Sequence, residues 1–346
     1  MEMFDVLILG AGPSGLACAI ECQRGGLRAA ALDKGCLCNS IYNYPANMTF
    51  FTTPELLEIG GIPFSCAQTK PTRMEALEYY RRVAEHFRLD VRQYHAVSSC
   101  EGADGNFVVH AMDRLGRAVD FATRKLVIAS GYYDLPNELG VPGENLDKVT
   151  HYYREPHPYY DSDVLVVGAK NSAAIAALEL WRHGARVTLV HRGTEVASSV
   201  KYWIKPDLEN RIRNQEIAAY FKSSVKEIAP DSVQISTPAG EKRIKNDFVL
   251  AMTGYHPDFT FLRALGIELA PGTAKPKVNL RTLESNVPGI YLAGVVLAGF
   301  NTNEIFIENG RFHGRQIAHD VAEKLGTAIA EVPEVAIPTA NLRNAE

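Results

Sequence analysis

Neither sign of charge dominates this sequence of 346 residues, because 36 Lys and Arg face 40 Asp and Glu and leave a formal net charge of -4. Without a basic excess the chain lacks the field that binding to a phosphate backbone requires, so we predict no nucleic-acid partner. No apolar stretch approaches the roughly 18 residues of a membrane-spanning helix, and the first residues show no basic segment followed by a long apolar run. We therefore expect neither a membrane segment nor a secretory signal.

Cysteines are few, and all six lie within the first 100 residues. Because nothing indicates secretion, we expect reduced thiols and a cytoplasmic protein. Cys36 and Cys38 are the only close pair, whereas Cys18 and Cys22 stand four apart on a predicted helix and are expected to be packed. Zinc-ligand spacings, a G-x-S-x-G turn and a Walker A pattern are all missing, so no metal site is predicted. Four scattered histidines are expected at the surface or at helix caps: His151, His157, His183 and His313.

The first recognisable pattern occupies the N-terminal residues. A bare apolar run at residues 5–9 is typical of a parallel strand buried on both faces. It is followed by the glycine turn GAGPSG at residues 10–15, by apolar residues at helical spacing over 16–24, and by a second apolar run that ends in Asp33. Strand, glycine turn, helix, strand and acid, in this order, are typical of a dinucleotide-binding unit.

Each glycine of this turn has a physical role in such a unit. Gly10 permits the tight turn, Gly12 leaves room for a pyrophosphate against the backbone, and Gly15 lets the helix approach the strand. The helix N-terminus offers free N–H groups and a partial positive charge to the phosphates. Asp33, which follows Gly10 by 23 residues, is expected to accept hydrogen bonds from ribose hydroxyls.

The same arrangement recurs from residue 163. A strand at 163–167 leads into the turn GAKNSA at 168–173, then into a helical stretch and a second strand that ends in His191-Arg192. Gly168 and His191 are again 23 residues apart. We therefore predict an α/β protein with two Rossmann-like, three-layer nucleotide-binding domains.

The two units differ in charge. Lys170 replaces the middle glycine and adds a cation near the pyrophosphate position. Where the first unit ends in an acid, which would repel a 2′-phosphate, the second ends in His191 and Arg192, which can bind one. The second unit is therefore predicted to prefer NADPH to NADH. The alternative is that His191 and Arg192 are solvated residues at a strand end.

Three further segments suggest contacts with a cofactor. Two buried runs end in Ser130-Gly131 and Thr253-Gly254, as expected where a chain crosses between nucleotide domains. Residues 282–294, TLESNVPGIYLAG, predict another strand, followed from about Ile305 by a helix. The N-terminus of that helix could stabilise negative charge on a reduced flavin, with ordinary packing as the alternative.

Over nearly its whole length the chain resembles the low-molecular-weight thioredoxin-reductase-like flavoproteins. The matching strings are GAGPSG with Asp33, ASGYYDLPNELGVPGE, GAKNSA with His191-Arg192, and VPGIYLAG. The resemblance implies FAD and NADPH as cofactors and a homodimer or tetramer. It implies an FAD domain in two pieces, residues 1–132 and 256–330, around an NADPH domain at 133–255, with a loose tail at 331–346.

The motifs and the resemblance together yield two sets of candidate binding residues. For FAD they are Gly10, Gly12, Pro13, Ser14, Gly15, Asp33, Lys34, Asn43, Val97, Ser130, Gly131, Gly294, Val295 and Ile305. For NADPH they are Gly168, Ala169, Lys170, Asn171, Ser172, Ala173, His191, Arg192, Thr253 and Gly254.

Longer strings are similar to the bacillithiol-disulfide reductase group, namely NSIYNYP, HYYREPHPYYD, VKYWIKPDLENRI and NEIFIENGRFHG. That group lacks the C-x-x-C of thioredoxin reductase, and here residues 152–155 read YYRE at that place. The group carries a cysteine inside the first glycine turn, where this chain has Ser14, which cannot act as a thiolate. Val295 also departs from thioredoxin reductases, which have an acid against the ribityl chain; backbone N–H groups are expected to replace it.

The function implied by the resemblance is transfer of hydride from NADPH to FAD and then to an acceptor, a low-molecular-weight disulfide such as bacillithiol disulfide. One alternative is an enzyme of the ferredoxin or flavodoxin–NADP reductase type, which needs no cysteine pair and whose partner is a small redox protein. Another is a flavin-binding redox sensor or partner protein. No catalytic residue is assigned; Cys36 and Cys38 are candidates, against the alternative that they are ordinary loop thiols.

Overall fold

The computed structural model describes residues 2–327, so the predicted loose tail at 331–346 lies outside it. The first segment contains the predicted strand, helix and strand, and then two helices, a short strand and a β-meander. Its elements are β1 (Met3–Leu9), α1 (Pro13–Arg24), β2 (Ala29–Leu32), α2 (Asn39–Tyr42), α3 (Arg73–Phe87), β3 (Asp90–Arg92), β4 (Ala96–Ala103), β5 (Asn106–Met112) and β6 (Ala118–Ile128). Strands β3, β2, β1 and β6 are parallel neighbours, whereas β4, β5 and β6 are antiparallel.

The middle segment forms two further sheets. Its elements are β7 (Val149–Thr150), β8 (Asp163–Val167), α4 (Asn171–Arg182), β9 (Arg186–Val190), α5 (Lys205–Arg213), β10 (Ala218–Tyr220), β11 (Ser224–Ala229), β12 (Ser232–Thr237), β13 (Gly240–Lys245) and β14 (Phe248–Ala251). A parallel sheet has the order β10-β9-β8-β14-β7, and β11, β12 and β13 form an antiparallel sheet.

The last segment returns to the first sheet. It contains α6 (Phe259–Ala264), β15 (Ile290–Leu292), α7 (Ile307–Gly310) and α8 (His313–Leu325). Strand β15 pairs in parallel with β6, with Ile290 opposite Leu126. One sheet is thus built from residues before and after the middle segment. The exact domain boundaries given above stay a prediction.

The central parallel strands of both sheets are buried on their two faces, as a bare apolar strand requires. In β1, Val6 and Ile8 pack with α1 and α8, while Leu7 and Leu9 pack in a core with the β-meander and α6. In the second sheet, Val164 and Val166 of β8 pack with α4, while the alternate side chain Leu165 packs with the β11–β13 sheet. Each nucleotide-binding unit therefore has three layers.

Candidate cofactor sites and the junction between them

The first glycine turn is held tightly against β6. Gly10 has a φ of +115°, and a Cβ there would lie 2.3 Å from the carbonyl oxygen of Ala129. A Cβ at Gly15 would lie 1.9 Å from the carbonyl oxygen of Gly10. Only glycine therefore fits at these two positions, for the steric reasons that the motif predicts.

Gly12 has the opposite environment, because a Cβ there would meet no atom within 4 Å. Helix α1 begins beside it at Pro13, and no side chain caps its first N–H groups. Open space above a glycine and free helix N–H groups suit a pyrophosphate. The turn therefore fits the FAD that the sequence predicts here.

Asp33, at the end of β2, stabilises this turn through hydrogen bonds. Its Oδ2 accepts a hydrogen bond from the Ala11 N–H and its Oδ1 accepts one from Gly35, both at 2.9 Å. Burial raises the pKa of Asp33 above its ordinary value, partly opposed by these two hydrogen bonds. Each carboxylate oxygen keeps a lone pair, so the carboxylate can also accept from a ribose hydroxyl. Lys34 is exposed and pairs with Asp134 at 3.1 Å.

Ser14, within the first turn, lies against the returning segment. Its Oγ would be 2.7 Å from a Cβ placed on Gly294 and 3.0 Å from one placed on Gly310. The N–H of Gly294 donates to Nδ1 of His313 at 2.9 Å. This N–H is therefore not free to replace the acidic side chain that thioredoxin reductases have at the position of Val295. Val295 itself is half-buried.

His313 is the first missed residue of this region. We expected it at the surface or a cap, but burial lowers its pKa to about 4, and its Nδ1 accepts from Gly294. The expectation was wrong because the sequence does not show that α8 packs back onto the first unit. His183 does cap a helix, since its Nδ1 lies 2.7 Å from the Glu179 carbonyl oxygen.

The helix expected from about Ile305 begins two residues later, at Ile307, and is interrupted. Ile305 is a half-buried loop residue, and two helices follow, α7 and α8, separated at 311–312. One close approach lies on each side of the break: Gly310 contacts Ser14, and a Cβ at Gly314 would lie 2.7 Å from the backbone nitrogen of Cys18.

The remaining candidate FAD residues lie on three segments. Asn43 follows α2 and donates from Nδ2 to the Asn39 carbonyl oxygen at 2.9 Å. Ser130 is exposed, and Gly131 has a φ of +73° near Ser40. Val97 lies in β4 and packs against the core of the meander. Their roles in binding FAD stay a prediction.

The second glycine turn begins as the first does. Gly168 has a φ of +128°, and a Cβ there would lie 2.6 Å from the Met252 carbonyl oxygen. Ala169 and Ala173 are buried, while Lys170 and Ser172 are exposed.

A loop covers this second turn. Asn171 binds it through both atoms of its amide: Nδ2 donates to the Ser199 carbonyl oxygen at 3.2 Å, and Oδ1 accepts from Lys201 N–H at 3.0 Å. Ala197 donates from its N–H to the Ala169 carbonyl oxygen. The turn is therefore fixed from both sides.

Positive charge converges at the end of β9. Burial lowers the pKa of His191, and the charges of Arg192 and Lys170 lower it further. In residues 2–327 neither Lys170 nor Arg192 forms an ion pair with a carboxylate. Two cations beside a neutral histidine suit a 2′-phosphate, and the assignment of these residues to NADPH stays a prediction.

The two crossing segments bind each other at the junction of the units. Asn137 donates from its backbone N–H to the Gly254 carbonyl oxygen at 2.9 Å and from Nδ2 to that of Thr253 at 3.2 Å. Thr253 returns a hydrogen bond from Oγ1 to the Asn137 carbonyl oxygen. Gly254 has a φ of +88°, which favours glycine there.

A tyrosine cluster beside these segments was also missed. Tyr133 lies at its centre, with ring centroids 4.9 Å from Tyr44, 5.5 Å from Tyr152 and 4.5 Å from Tyr255. Burial raises the pKa of Tyr133 to about 12, so the phenol stays protonated. The motifs YY after Ser130-Gly131 and Y after Thr253-Gly254 were visible, but their meeting depends on the tertiary fold.

Cys36 and Cys38 offer little to thiol chemistry in this arrangement. Burial and the charge of Asp33 raise the pKa of Cys36 above its ordinary value, and burial raises that of Cys38 well above it. Both thiols are free, and Cys38 is fully buried at the start of α2. Raised pKa values disfavour the thiolate that disulfide exchange requires. Cys18 and Cys22 are buried in the core, as expected.

The structure contains two glycine turns, each at the end of a parallel strand. One turn belongs to a unit that is divided along the chain, and the other belongs to the unit inserted into it. Together they define a flavoprotein oxidoreductase with two dinucleotide-binding units. The chain matches the family described as pyridine nucleotide-disulphide oxidoreductase over residues 7–294, and it belongs to that family. It is an NADPH-dependent flavoprotein oxidoreductase, with FAD and NADPH as its cofactors.

Individual relatives are similar over almost their whole length. The chain is 46% identical over 322 residues to bacilliredoxin reductase Bdr of Bacillus subtilis, covering 92% of this chain and 97% of the relative. The solved bacillithiol disulfide reductase Bdr (YpdA) of Bacillus cereus has a TM-score of 0.92 at 44% identity, with 93% and 100% of the two chains covered. The one from Staphylococcus aureus has a TM-score of 0.89 at 40% identity, with 94% and 99% covered.

Within residues 2–327, no helix has both the length and the apolar character to cross a bilayer.

Proposed function

We propose that this enzyme uses NADPH to reduce a low-molecular-weight disulfide such as bacillithiol disulfide. The balanced reaction is NADPH + H⁺ + RSSR → NADP⁺ + 2 RSH. The observation that carries the proposal is a cleft at the junction of the units, lined by Tyr133 and Tyr152 and by Asn43 of the candidate FAD set. Two solved structures with the same architecture, at 44% and 40% identity, are bacillithiol disulfide reductases, which supports the same class of acceptor.

The residues of the first unit would hold FAD. Gly12 leaves space for the pyrophosphate, the uncapped N-terminus of α1 offers N–H donors, and Asp33 offers its carboxylate to the ribose. When bound, FAD supplies the group that accepts a hydride and donates two electrons. The protein positions and shields that chemistry rather than performing it.

The residues of the second unit would hold NADPH. Lys170 and Arg192 would present positive charge to a 2′-phosphate at the end of β9, and His191, whose lowered pKa favours the neutral ring, would offer a hydrogen bond. Asn171 binds the turn to the loop that covers it. Discrimination between NADPH and NADH is therefore assigned to this unit alone.

Ser14 defines what kind of disulfide reduction is possible here. Its hydroxyl is enclosed by Gly294 and Gly310 at the first turn, and a hydroxyl forms no mixed disulfide. We propose that electrons pass to the acceptor without a thiol at position 14. The reduced cysteines elsewhere are consistent with a cytoplasmic location, and the homo-oligomer stays a prediction from the resemblance.

Anaerobic mixing with NADPH is the first test. We expect NADPH to bleach the oxidised flavin band and steady-state NADPH oxidation to depend on bacillithiol disulfide. Oxidation with ferredoxin or a quinone but with no disulfide would instead support the ferredoxin–NADP reductase type, which Ser14 also suits. Failure to bleach the flavin would leave only the sensor alternative.

A further inference from the structure

The cleft at the junction has a volume of about 540 Å³, within the range of roughly 300–1,000 Å³ that small-molecule sites occupy. One wall contains Asn43, Tyr133 and Asp134, and the other contains Tyr152 and Arg154. None of the candidate NADPH residues lines it. The cleft is therefore separate from the nucleotide turns, although Asn43 belongs to the candidate FAD set.

Two hydrogen bonds fix the shape of this cleft, the first between the two units and the second within the inserted unit. The Ala46 N–H donates to the carbonyl oxygen of Arg154 at 2.8 Å. The Tyr152 hydroxyl donates to the carbonyl oxygen of Asp134 at 2.9 Å. A site whose walls are already bound to each other loses little entropy when a ligand enters.

The charged groups of the cleft differ in their partners. Asp134 is paired with Lys34 at 3.1 Å. Arg154 and Glu155 are both exposed, and neither side chain forms a hydrogen bond or ion pair with any other residue in the range 2–327. The cleft thus presents one available guanidinium and one available carboxylate, adjacent along the chain.

We propose that this cleft binds the electron acceptor, and that the acceptor is a zwitterionic low-molecular-weight disulfide. Its carboxylate pairs with Arg154, its ammonium group pairs with Glu155, and the rings of Tyr133 and Tyr152 contact the chain between them. This inference rests on the proposed function and names the residues that select the substrate.

Equilibrium binding tests the site without turnover. Bacillithiol disulfide is titrated into the oxidised holoenzyme and into R154Q, with R114Q as the matched control because Arg114 is an exposed arginine on the β5–β6 loop. We expect the Kd to rise at least about tenfold in R154Q and to stay unchanged in R114Q, since one charge-assisted pair is lost. Equal affinity of R154Q and the wild type would overturn the site.

Two simple disulfides separate the roles of the two charges. 3,3′-Dithiodipropionate carries carboxylates only and cystamine carries ammonium groups only. We expect R154Q to weaken the first and Glu155→Gln to weaken the second, each without affecting the other ligand. A loss of both ligands in both variants would show a change of shape and would contradict the charge assignment.

Kinetics distinguish this inference from the proposed function. In R154Q we expect the KM for bacillithiol disulfide to rise about tenfold with kcat within about twofold, while NADPH–ferricyanide turnover stays unchanged. Reduction of the disulfide with an unchanged KM would reject the cleft and keep the function. Binding through Arg154 without reduction would reject the function as well as the acceptor role. Slower flavin reduction by NADPH in R154Q would assign the cleft to the nicotinamide.

Discussion

The two glycine turns share a backbone plan but differ in how closely their helices approach. In the first, a Cβ at Gly15 would lie 1.9 Å from the Gly10 carbonyl oxygen. In the second, the matching position already carries the Cβ of Ala173, 3.3 Å from where a Cβ on Gly168 would lie. The first helix therefore sits closer to its strand, and only there is the third glycine a steric requirement.

The turns differ still more in charge. Asp33 ends the second strand of the first unit, whereas Lys170, His191 and Arg192 surround the same place in the second. The common steric features suit the pyrophosphate that both cofactors share, and the opposite charges suit the parts in which FAD and NADPH differ. Backbone and charge thus encode separate information about the ligand.

The segments that cover the turns are also different. Ser14 in the first turn contacts Gly294 and Gly310 from the far end of the chain. Asn171 in the second turn is bound by residues 199–201, within its own unit. The first unit therefore depends on a returning segment, and the second does not.

Gly15→Ala should have the largest effect, because the added Cβ meets a backbone oxygen that cannot move without shifting the turn. We expect at least about 3 kcal/mol of destabilisation and loss of FAD from the purified protein. Thermal unfolding and the ratio of flavin to protein absorbance measure both. Gly12→Ala is the control: it should fold normally and lose only flavin affinity, and equal destabilisation of the two variants would contradict the steric difference.

His313 should make the first unit acid-sensitive. Its folded pKa of about 4 lies below the ordinary value near 6.5, so between these two pH values the unfolded chain binds a proton that the folded chain does not. Above pH 6.5, His313 imposes no penalty on the free energy of unfolding. As the pH drops towards 4, the free energy of unfolding falls by up to about 3 kcal/mol. Flavin release on heating at pH 7.5 and pH 5.0 follows this loss.

The matched variants for this pH effect lie on one helix. His313→Asn keeps an acceptor for Gly294 and should flatten the pH dependence, whereas His319→Asn, at an exposed position of α8, should leave it unchanged. If the pH dependence of stability persists in His313→Asn, another titrating group causes it.

Arg192→Ala tests the charge difference between the units. Loss of one charge-assisted contact to the 2′-phosphate should raise the KM for NADPH about 30-fold, or about 2 kcal/mol, and leave that for NADH nearly unchanged. Steady-state kinetics with ferricyanide as acceptor measure both. Equal effects on the two nucleotides would mean that Arg192 is only a solvated residue at a strand end.

The sequence predicted the parts of the fold that depend on local pattern. The β1-α1-β2 and β8-α4-β9 units carry bare apolar strands and glycine turns, which are local signals. The sequence predicted the second half of β6 as a buried run, but β4, β5 and the β11–β13 sheet were missed because their strands are partly polar; β13, GEKRIK, is almost entirely exposed. Helix α3 had a visible signal in its Thr72–Glu75 capping box.

For the candidate site too, the sequence predicted what depends on local pattern and missed what depends on tertiary contacts. The glycines, Asp33 and Arg192 follow from motifs, but the neutral state of His313 depends on α8 packing onto the first unit. The cleft depends on residues near 43, 133 and 154 meeting across two units. Contacts between distant segments leave no periodic trace in a single sequence.

The two loop thiols should show the smallest effect. Cys36→Ser with Cys38→Ala removes both sulfurs that lie near the first turn, yet their raised pKa values keep them protonated and poorly nucleophilic. We expect disulfide turnover within about twofold of the wild type at equal flavin content, measured as NADPH oxidation with bacillithiol disulfide. Because Ser14 supplies no thiol, abolition of disulfide turnover with ferricyanide turnover intact would show that this pair carries the electrons. The first unit would then differ from the second in its chemistry as well as in its charge.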